Sequence, residues 1–470
     1  MLTSLNFISP GMEWPPASER ERLDMYENNR KLFESKHGEV FKDWNRILRE
    51  DQQASLLIAL SFHERLSTLW ADLLLGEPPT FTAGEAETPE QNALDELVKL
   101  NNLVNTAYET VIDNSRFGEG VFKIRFEKRG IIESQPPSCW FPVVDPTNIK
   151  NTTAHVLGWT WEDVMISFGK EVIVKYLQVE IHEVGKITTR RYVLDGSVIS
   201  RQVEIEGVEE EVFTGVDDFL VHPFHNLITS DRCFGIDDYS KIDPIVQEIE
   251  IRLSQISRIL DKHSDPNMYG PDSALVWDPE THQYQFKSGG KYFPVEAGDQ
   301  TPGYMIWDGQ LAAAFMEFDK LMELLYLLTE TSPAAFGQLK AGLAESGSAL
   351  KRLMMAPLAK TGRNRTRLDP TLKRVLQVAA ALEVQQGMTG AAELPDVGIE
   401  WADGVPNDDR EQASIDNESF TAGTVSLESI LKRRGLTGDN LQNELDAIRG
   451  VKKEVEVPEV VVEEKVPEVE

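Results

Sequence analysis

The residues that suggest chemistry most directly are three acids at the start of a predicted helix, Asp237, Asp238 and Asp243. Carboxylates grouped in this way could hold a divalent metal ion for phosphodiester hydrolysis, so a metal-dependent nuclease is one alternative. Acids at a helix N-terminus also cap free amides and complement the helix dipole, and we favour that interpretation. A nuclease would lose its activity in the Asp238→Asn variant.

The other chemical motifs are incomplete. The Gly-Lys pairs lack the upstream glycine and the following Ser or Thr of a phosphate-binding loop. The sequence GEG at 118–120 does not continue as a dinucleotide fingerprint, because position 123 is Lys. His222 and His225 have no evident third metal ligand. We therefore predict that the protein is not an enzyme and has no catalytic residues, no cofactor and no metal site.

Composition places the chain among globular proteins of several domains. It has 470 residues, of which 41% are hydrophobic and 27% charged. No run is long enough for a membrane span, and the N-terminus lacks a basic region followed by an apolar stretch, so neither a membrane nor a secreted role is expected. Cys139 and Cys233 are predicted to be buried thiols in a reducing compartment.

The net charge of −31 limits the possible partners. Broad binding to nucleic acid phosphates needs dense Lys and Arg, which this chain lacks. The charge remains compatible with a protein that lets DNA slide past without holding it.

The N-terminal half is predicted to contain helices followed by a sheet. Residues 18–36 and 54–75 have helical patterns. Thr88-Pro89-Glu90-Gln91 resembles a capping box and begins a long amphipathic helix that continues to about residue 113. From 118 to 215, β-branched and aromatic residues alternate between glycines, which indicates antiparallel sheet.

A heptad pattern follows, in a helix that begins near residue 236. Apolar residues at a and d positions predict one packed stripe, formed by Ile242, Val246, Ile249, Leu253, Ile256 and Leu260. A second helix, over 310–330, has its own apolar face, formed by Leu311, Phe315, Phe318, Met322, Leu325 and Leu328. The insert 265–309 between them is predicted to be rich in turns and strands. The expected arrangement is a helical hairpin about 30 to 40 Å tall with a β module at its tip.

The segment after the hairpin is a bridge of small residues, TSPAAFGQLKAGLAESG, which suits a flexible loop without bulky anchors. A helical stretch then runs from Ser348 to Gln386, which Pro357 and Pro370 are expected to kink or break. Eight basic residues concentrate there: Lys351, Arg352, Lys360, Arg363, Arg365, Arg367, Lys373 and Arg374. A solvated or acid-paired helix face is the simplest explanation of such a run. A strand, VGIEW, and helices over 408–449 follow, and the Glu-rich tail from Lys452 is predicted to be disordered.

These parts, taken in order, resemble the portal protein of tailed double-stranded DNA bacteriophages, the head-to-tail connector of the siphovirus type. The resemblance covers about residues 15 to 450. It rests on FHERLSTLWADLLLGEPPTF, SRFGEGVFKIRF, VVDPTNI, FGIDDYSKIDPIVQEIE, TSPAAFG with SGSALKR, and IEWADGVPNDDREQ. It implies a multi-domain α+β portal fold with a wing, a helical stem, a β-containing clip and a helical crown.

Carried onto this chain, the resemblance implies the following regions: wing, 1–235; stem, 236–264 and 310–331; clip, 265–309; tunnel loop, 332–348; kinked wing helix and strand, 349–407; crown, 408–450; and disordered acidic tail, 451–470. It implies that the tunnel loop meets DNA through Gln338, Lys340 and Glu345. Basic contacts to DNA or to a neighbouring subunit would come from Lys351, Arg352, Arg363, Arg365 and Arg367. Docking by the clip would involve Trp277, Tyr284 and Trp307.

The implied partners are other copies of the chain, in a ring expected to have twelve subunits, and double-stranded DNA in the channel. They also include the major capsid protein, the large terminase, the head-tail adaptor and scaffolding protein, with no membrane. The implied location is the portal vertex of the virion, and the host cytoplasm during assembly. The alternatives are an acidic cytoplasmic scaffold protein, which would form no closed ring, and a head-morphogenesis nuclease that uses Asp237, Asp238 and Asp243.

Overall fold

A computed structural model of the chain describes residues 1–41, 58–167, 170–264, 311–338, 347–402, 409–434, 436 and 438–454, together with 268–269, 275–279, 282–286, 298 and 303–304. The structure contains both α-helices and antiparallel β-strands, which confirms the predicted α+β class. The chain divides into two compact units. One consists of Met1–Gln338 with Met354–Gly404, and the other of Leu339–Leu353 with Val405–Glu470.

The first unit begins with helices that are shorter than predicted. α1 (Arg20–Phe33) and α2 (His37–Val40) take the place of one helix over 18–36. α3 (Phe62–Leu75) starts later than the helix predicted over 54–75, because residues 58–61 are not helical.

The long helix predicted from residue 88 to 113 is two helices, α4 (Pro89–Leu100) and α5 (Leu103–Phe117). Thr88 caps α4 as expected, since its side-chain oxygen accepts a hydrogen bond from the Gln91 amide at 3.2 Å. Asn102 lies between the two helices in the left-handed conformation, with φ of 47°, which Asn tolerates better than most residues. The apolar periodicity continues across this break and therefore did not reveal it.

The predicted sheet over 118–215 is confirmed as two antiparallel sheets. The smaller has the order β10–β2–β3, formed by β10 (Val221–His225), β2 (Glu119–Phe126) and β3 (Gly130–Gln135). The larger has the order β4–β5–β6–β7–β8, formed by β4 (Trp140–Asp145), β5 (Asn148–Ser167), β6 (Lys170–Glu183), β7 (Lys186–Asp195) and β8 (Val198–Val203). β9 (Glu211–Phe213) pairs with β7.

Two apolar cores hold these layers together. In the first, α4, α5 and α9 (Met355–Gln385) bury side chains such as Leu94, Val111 and Leu376 against Phe122 and Ile124 of β2. In the second, the N-terminal segment buries residues including Ile8 and Trp14 on the larger sheet. Burying one large apolar side chain contributes about 1.5 to 3 kcal/mol, so these faces fix the position of the helices on the sheets.

The predicted order of helix, β insert and helix is also found. α6 (Asp243–Ser264) has 22 residues and is about 33 Å long at the usual rise. α7 (Leu311–Thr329) is the returning helix. Between them, β12 (Leu275–Asp278) pairs with β13 (Gln283–Phe286), and β11 (Met268–Tyr269) pairs with β14 (Gly303–Tyr304).

The prolines do not end the next helix where the sequence suggested. α8 (Gly347–Leu353) is followed by α9, which continues through both Pro357 and Pro370. Pro357 lies in the first turn of α9, where its missing N–H has no intrahelical partner to lose. Pro370 is inside the helix, where tertiary packing of α9 outweighs the lost hydrogen bond.

The C-terminal strand and helices are found as predicted, but residues 451–454, which were predicted to belong to the disordered tail, are helical. The strand predicted at VGIEW is β15 (Gly398–Glu400), which pairs with β1 (Thr80–Thr82). The helical region is formed by α10 (Asp409–Thr421), α11 (Leu427–Arg433) and α12 (Gly438–Glu454), so it extends beyond the predicted end at 449. The prediction of a disordered tail falls mainly on residues 455–470, which lie outside the described residues.

Cys139 and Cys233 are half-buried free thiols, so the prediction of full burial was wrong. Burial nevertheless raises the pKa of both. None of the described helices has the length and the apolar character needed to cross a bilayer.

His155 makes the fold sensitive to acid. It is buried on β5, opposite His182 of β6, and its Nδ1 accepts a hydrogen bond from Trp140 Nε1 at 3.0 Å. Burial lowers the pKa of His155 to about 3, and burial also lowers the pKa values of His182, His222 and His225. A histidine whose folded pKa is depressed stays neutral in the fold, so stability is lost as the pH falls below the unfolded value of about 6.5.

We predict that replacing His155 with Gln, which can still accept from Trp140, weakens the pH dependence of stability. Between pH 7 and pH 5 the variant should lose about 2 kcal/mol less free energy of unfolding than the wild type, because one proton fewer binds on unfolding. Urea unfolding followed by circular dichroism at both pH values measures this difference. Equal losses in the two proteins would contradict the prediction.

Candidate functional site

The turn that precedes α6 and the first residue of α6 contain the three acids considered for metal chemistry. Asp237 Oδ1 accepts from the amides of Tyr239 and Ser240, at 2.8 and 2.7 Å, so it caps the turn before α6 and not, as predicted, the helix itself, which begins at Asp243. Asp243 contacts His63 Nε2 at 3.0 Å. Within the described residues there is no group of three His, Cys, Asp or Glu side chains that could hold a metal ion.

Asp238 is the third of these acids, and it joins four elements. Its Oδ1 accepts from Lys360 Nζ of α9 at 2.6 Å and from Asn226 Nδ2 at 2.9 Å. Its Oδ2 accepts from Ser115 Oγ of α5 at 2.8 Å. Lys360 Nζ also lies 4.2 Å from the ring centre of Trp70 on α3, a cation–π contact. Both charges are largely buried, and each is satisfied by several partners.

A second buried polar group fixes the middle of α6. Glu250 is fully buried, and its Oε1 lies 2.5 Å from His37 Nδ1 and accepts from the Leu60 amide at 2.9 Å. His37 Nε2 lies 3.0 Å from the Leu32 carbonyl, so this nitrogen carries a proton. Sequence reasoning missed this pair because Glu250 sits beside an apolar heptad position and reads as a surface residue.

The predicted stripe of α6 is buried at its start and exposed at its end. Ile242, Val246, Ile249 and Ile256 are buried, and Leu253 is half-buried. Leu260 is 49% exposed, so the prediction that it packs was wrong for this residue. Towards its C-terminal end, α6 has fewer neighbours in the described chain than the heptad pattern implied.

α7 packs along α6, and Arg252 Nε of α6 forms an ion pair with Glu317 at 3.0 Å. The predicted apolar face of α7 is covered only in part. Leu325 is buried, whereas Phe315 and Leu328 are exposed, contrary to the prediction. Phe318 and Met322 are half-buried, and the side chain of Leu311 lies outside the described residues.

The bridge after α7 is anchored at its start. Glu330 adopts a left-handed conformation and ends the helix, and Thr329 Oγ1 lies 2.7 Å from Thr331 Oγ1. The ring of Phe336 packs against those of Phe62 and Tyr326, with centroids 5.7 and 6.0 Å apart. The expectation of a bridge without bulky anchors was therefore wrong for its first turn. Gln338 is exposed, while Lys340 and Glu345 lie outside the described residues.

Most of the basic residues on α9 are engaged within the chain. Arg363 pairs with Glu330, Arg374 with Asp218, and Lys373 with Asp369 at 2.8 Å. Arg365 donates to the Ala402 carbonyl at 2.7 Å and stacks on Trp401. Most of these basic residues are therefore paired with acids or bonded to the backbone, which is close to the acid-paired helix face that the sequence suggested.

Arg367 is half-buried on α9 and has no hydrogen bond or ion pair with the described residues; burial and the nearby Arg363 lower its pKa. Lys351 and Arg352 are exposed on α8. Of the predicted DNA-contact residues, Lys351, Arg352 and Gln338 are therefore exposed and Arg367 is half-buried.

The insert presents one of its predicted docking residues to solvent. Trp277 is exposed on β12, with the ring of His282 6.4 Å away, and its Cα is paired with that of Tyr284 on β13. The side chain of Tyr284 and the whole of Trp307 lie outside the described residues.

GEG at 118–120 serves close packing of the backbone. Gly118 ends α5 with φ of 89°, and a Cβ on Gly235 would lie 2.2 Å from the Gly118 carbonyl oxygen. Between the two glycines of GEG, Glu119 is buried and accepts from Tyr26 and from the Gly235 amide. Burial raises the pKa of Glu119 to about 7.

The family model described as "Phage portal protein, SPP1 Gp6-like" matches residues 16–456. No curated protein matches the chain.

Solved structures with a similar chain come from gene transfer agent (GTA) particles. One is described as "Neck of empty GTA particle computed with C6 symmetry", with 13% identity and a TM-score of 0.43. Another is described as "Virion of native gene transfer agent (GTA) particle", with 12% identity and a TM-score of 0.41. Each similarity covers 84% of this chain and 94% of the other.

We predict that Ile249→Asp lowers the free energy of unfolding by about 3 to 5 kcal/mol, because Ile249 is fully buried and the new charge has no partner. Leu260→Asp is the matched control on the same helix. Since Leu260 is exposed, its replacement should change stability by less than about 0.5 kcal/mol. Urea unfolding of both variants tests the prediction, and similar effects of the two changes would refute the boundary drawn between them.

Proposed function

The chain belongs to the family of phage portal proteins, SPP1 Gp6-like, and is a structural portal protein; on that premise we propose that it assembles into a closed ring at one capsid vertex and conducts double-stranded DNA. The ring is expected to contain twelve subunits. The family is a structural one, and we propose that the chain carries out no catalysis of its own. The single observation that carries the proposal is the family match over nearly the whole chain.

The exposed side of α7 supports assembly with other copies. Met316 and Leu327 are 68% and 72% exposed. At 3.6 residues per turn they lie on the side of α7 opposite the buried Leu325. Lys320 and Glu323 lie on the same side of α7 and form an exposed ion pair at 2.6 Å, so this side combines apolar and charged groups. A neighbouring subunit in the ring would cover the exposed Met316 and Leu327.

The charge of the chain fits a channel for DNA. Each phosphate that a protein neutralises adds a salt-dependent hold on the duplex. A ring of subunits that each carry a formal charge of −31 would repel the phosphates and let the duplex move during packaging and ejection.

We assign the tunnel loop to residues 332–348. The bridge is held at Phe336 and continues into the exposed Gln338, so a fixed base precedes the small residues that would face the channel. Gln338, Lys340 and Glu345 are the proposed DNA-facing side chains of this loop. Lys351, Arg352 and Arg367 are proposed as limited contacts to DNA or to a neighbouring subunit. Arg363 and Arg365 are engaged within the chain and are less available for that role.

We assign the remaining regions to the stem, clip, crown and wing of a portal protein. We propose that α6 and α7 form the stem and that residues 265–309 form a clip that docks the large terminase and later the head-tail adaptor. The exposed Trp277, with Tyr284 and Trp307, would contribute to that docking. The crown would begin at about residue 408, and the wing would face the major capsid protein and scaffolding protein. The protein would assemble in the host cytoplasm and remain in the virion.

Electron microscopy of the purified full-length protein tests the ring. We expect closed rings with twelvefold symmetry and a channel wide enough for duplex DNA, because a neighbouring subunit would cover the exposed Met316 and Leu327 of α7. A chain that stays monomeric at every concentration, and that forms no ring in capsids, would contradict the proposal and favour an acidic scaffold protein.

We predict that deleting residues 338–345 leaves ring formation intact but reduces DNA packaging or retention, since this segment lies beyond the Phe336 anchor. A Gly/Ser replacement of the same eight positions is the matched control, and it separates loop length from loop chemistry. Ring symmetry by microscopy and packaged DNA protected from nuclease are the measurements. Loss of the ring in the deletion variant would show that the segment is part of the subunit core.

A further inference from the structure

Glu119 is a buried acid to which the proposed function gives no role. It is the first residue of β2 and is fully buried. One of its carboxyl oxygens accepts a hydrogen bond from the hydroxyl of Tyr26 on α1, and the other accepts from the amide of Gly235. Gly235 lies in the segment that leads to the turn before α6. A single carboxyl group therefore joins α1, the smaller sheet and this segment.

The backbone and the rings around Glu119 are closely packed. Gly118 and Gly235 approach each other so closely that a side chain on either would overlap the backbone of the other. The ring of Tyr26 packs on that of Phe117, with centroids 4.9 Å apart. β2 is hydrogen-bonded on both sides, by β10 and by β3, whereas α1 is bonded to its neighbours through side chains such as Tyr26 and Asn29. If the contact at Glu119 weakens, α1 is therefore the element that is expected to open.

Glu119 has no paired lysine or arginine in the part of the chain that the structure describes. Glu180, an acid on the larger sheet, is by contrast paired with Lys123 at 2.7 Å. His225 Nδ1 lies 4.0 Å from Glu119 Oε1, but burial lowers the pKa of His225 to about 4, so this ring is neutral at pH 7. Ionisation of Glu119 therefore places a carboxylate without a paired cation in a site closed to water, which is costly.

Arg22 is the cation that α1 brings near Glu119, but its hydrogen bonds go elsewhere. It forms an ion pair with Glu19 at 2.9 Å. It also donates to the backbone carbonyls of Pro137 and Trp140, at 3.2 and 3.0 Å. The charge of Arg22 acts to lower the pKa of Glu119 without a direct pair between the two side chains.

Burial outweighs these effects and raises the pKa of Glu119 to about 7. The nearby Asp237 acts in the same direction as burial, whereas the hydrogen bonds from Tyr26 and from the Gly235 amide act against it. Burial also raises the pKa values of Tyr26 and Cys233, so both of these groups keep their protons at pH 7. Glu119 therefore changes its charge close to neutral pH.

We propose that Glu119 forms a proton-dependent contact, which holds α1 against the smaller sheet while the carboxyl is neutral and promotes local opening of α1 once the proton is lost. The neutral form keeps both hydrogen bonds, because it still accepts from the Gly235 amide and the Tyr26 hydroxyl can accept as well as donate. Opening exposes the carboxyl to water, where Glu has its ordinary pKa of about 4.3. The proton is then bound more tightly in the closed state, so opening releases a proton and becomes easier as the pH rises. This contact lies within one subunit and does not depend on the proposed ring.

Hydrogen exchange of the full-length protein, measured by mass spectrometry at pH 6 and pH 8, tests the contact. After correction for the intrinsic effect of pH on exchange, the opening constant of α1 should be about tenfold larger at pH 8 than at pH 6, because a carboxyl with a pKa of about 7 loses most of its proton over this range. Glu119→Gln stays neutral and keeps an acceptor for the Gly235 amide. In that variant, α1 should open equally at both pH values and less than in the wild type at pH 8.

Glu127→Gln is the matched control, since it removes an exposed acid just beyond the other end of β2 and should keep the tenfold difference. Equal opening of α1 at both pH values in the wild type would overturn the inference, and that result does not require the Gln variant to fold. A tenfold difference that persists in Glu119→Gln would also overturn it, because the effect would then belong to another group, such as His225 or Asp237.

Discussion

The rest of the first unit depends on the buried ion pair between Asp238 and Lys360. It joins the segment that starts α6 to α9, and the same carboxylate also binds α5 through Ser115 and the loop after β10 through Asn226. A buried charge is tolerable only when it is paired and hydrogen-bonded, and here the carboxylate accepts three hydrogen bonds, from Lys360, Asn226 and Ser115. If one partner is removed, the other is left charged in a poorly solvated site. The position of α6 is therefore coupled to the position of the smaller sheet and of α9.

A second buried group sets the rotation of α6. The carboxylate of Glu250 lies in a largely apolar interface, and its Oε1 is paired only where His37 and the Leu60 amide meet it. A sliding or rotated helix would leave this carboxylate without partners. An apolar side chain in its place would pack as well in several positions, so the polar pair selects one of them. The two sites, one at the start of α6 and one two turns later, hold the helix at two points along its axis.

The sequence was informative wherever periodicity or composition decided the structure. The heptad stripe, the antiparallel sheet and the β insert were all predictable from local patterns of apolar, β-branched and turn residues. The break at Asn102 was not predictable, because the apolar repeat continues across it and only the left-handed backbone separates α4 from α5. The burial of Glu250 and Lys360 was not predictable either, since their partners lie more than a hundred residues away in the chain. The exposure of Leu260 differs from the heptad prediction for another reason: the pattern describes a face, whereas burial depends on what covers that face.

Some apolar side chains of the first unit remain exposed, and their arrangement is informative. Scattered apolar residues on a surface need no explanation, but two-sided apolar elements do. The outer part of the β5–β6 hairpin is such an element, since Val164 and Ile173 are exposed on one face and Met165 and Val172 on the other. α7 in turn exposes Met316 and Leu327 beside the ion pair of Lys320 and Glu323. Each element is braced by contacts within the chain, through Arg252 and Glu317 for the helices and through Trp161 and Tyr176 for the hairpin. Rigid support beneath an uncovered apolar end lowers the entropy cost of association, because the element is already ordered before a partner arrives. A subunit built in this way keeps its own fold and gains further stability from its neighbours, as a structural ring requires.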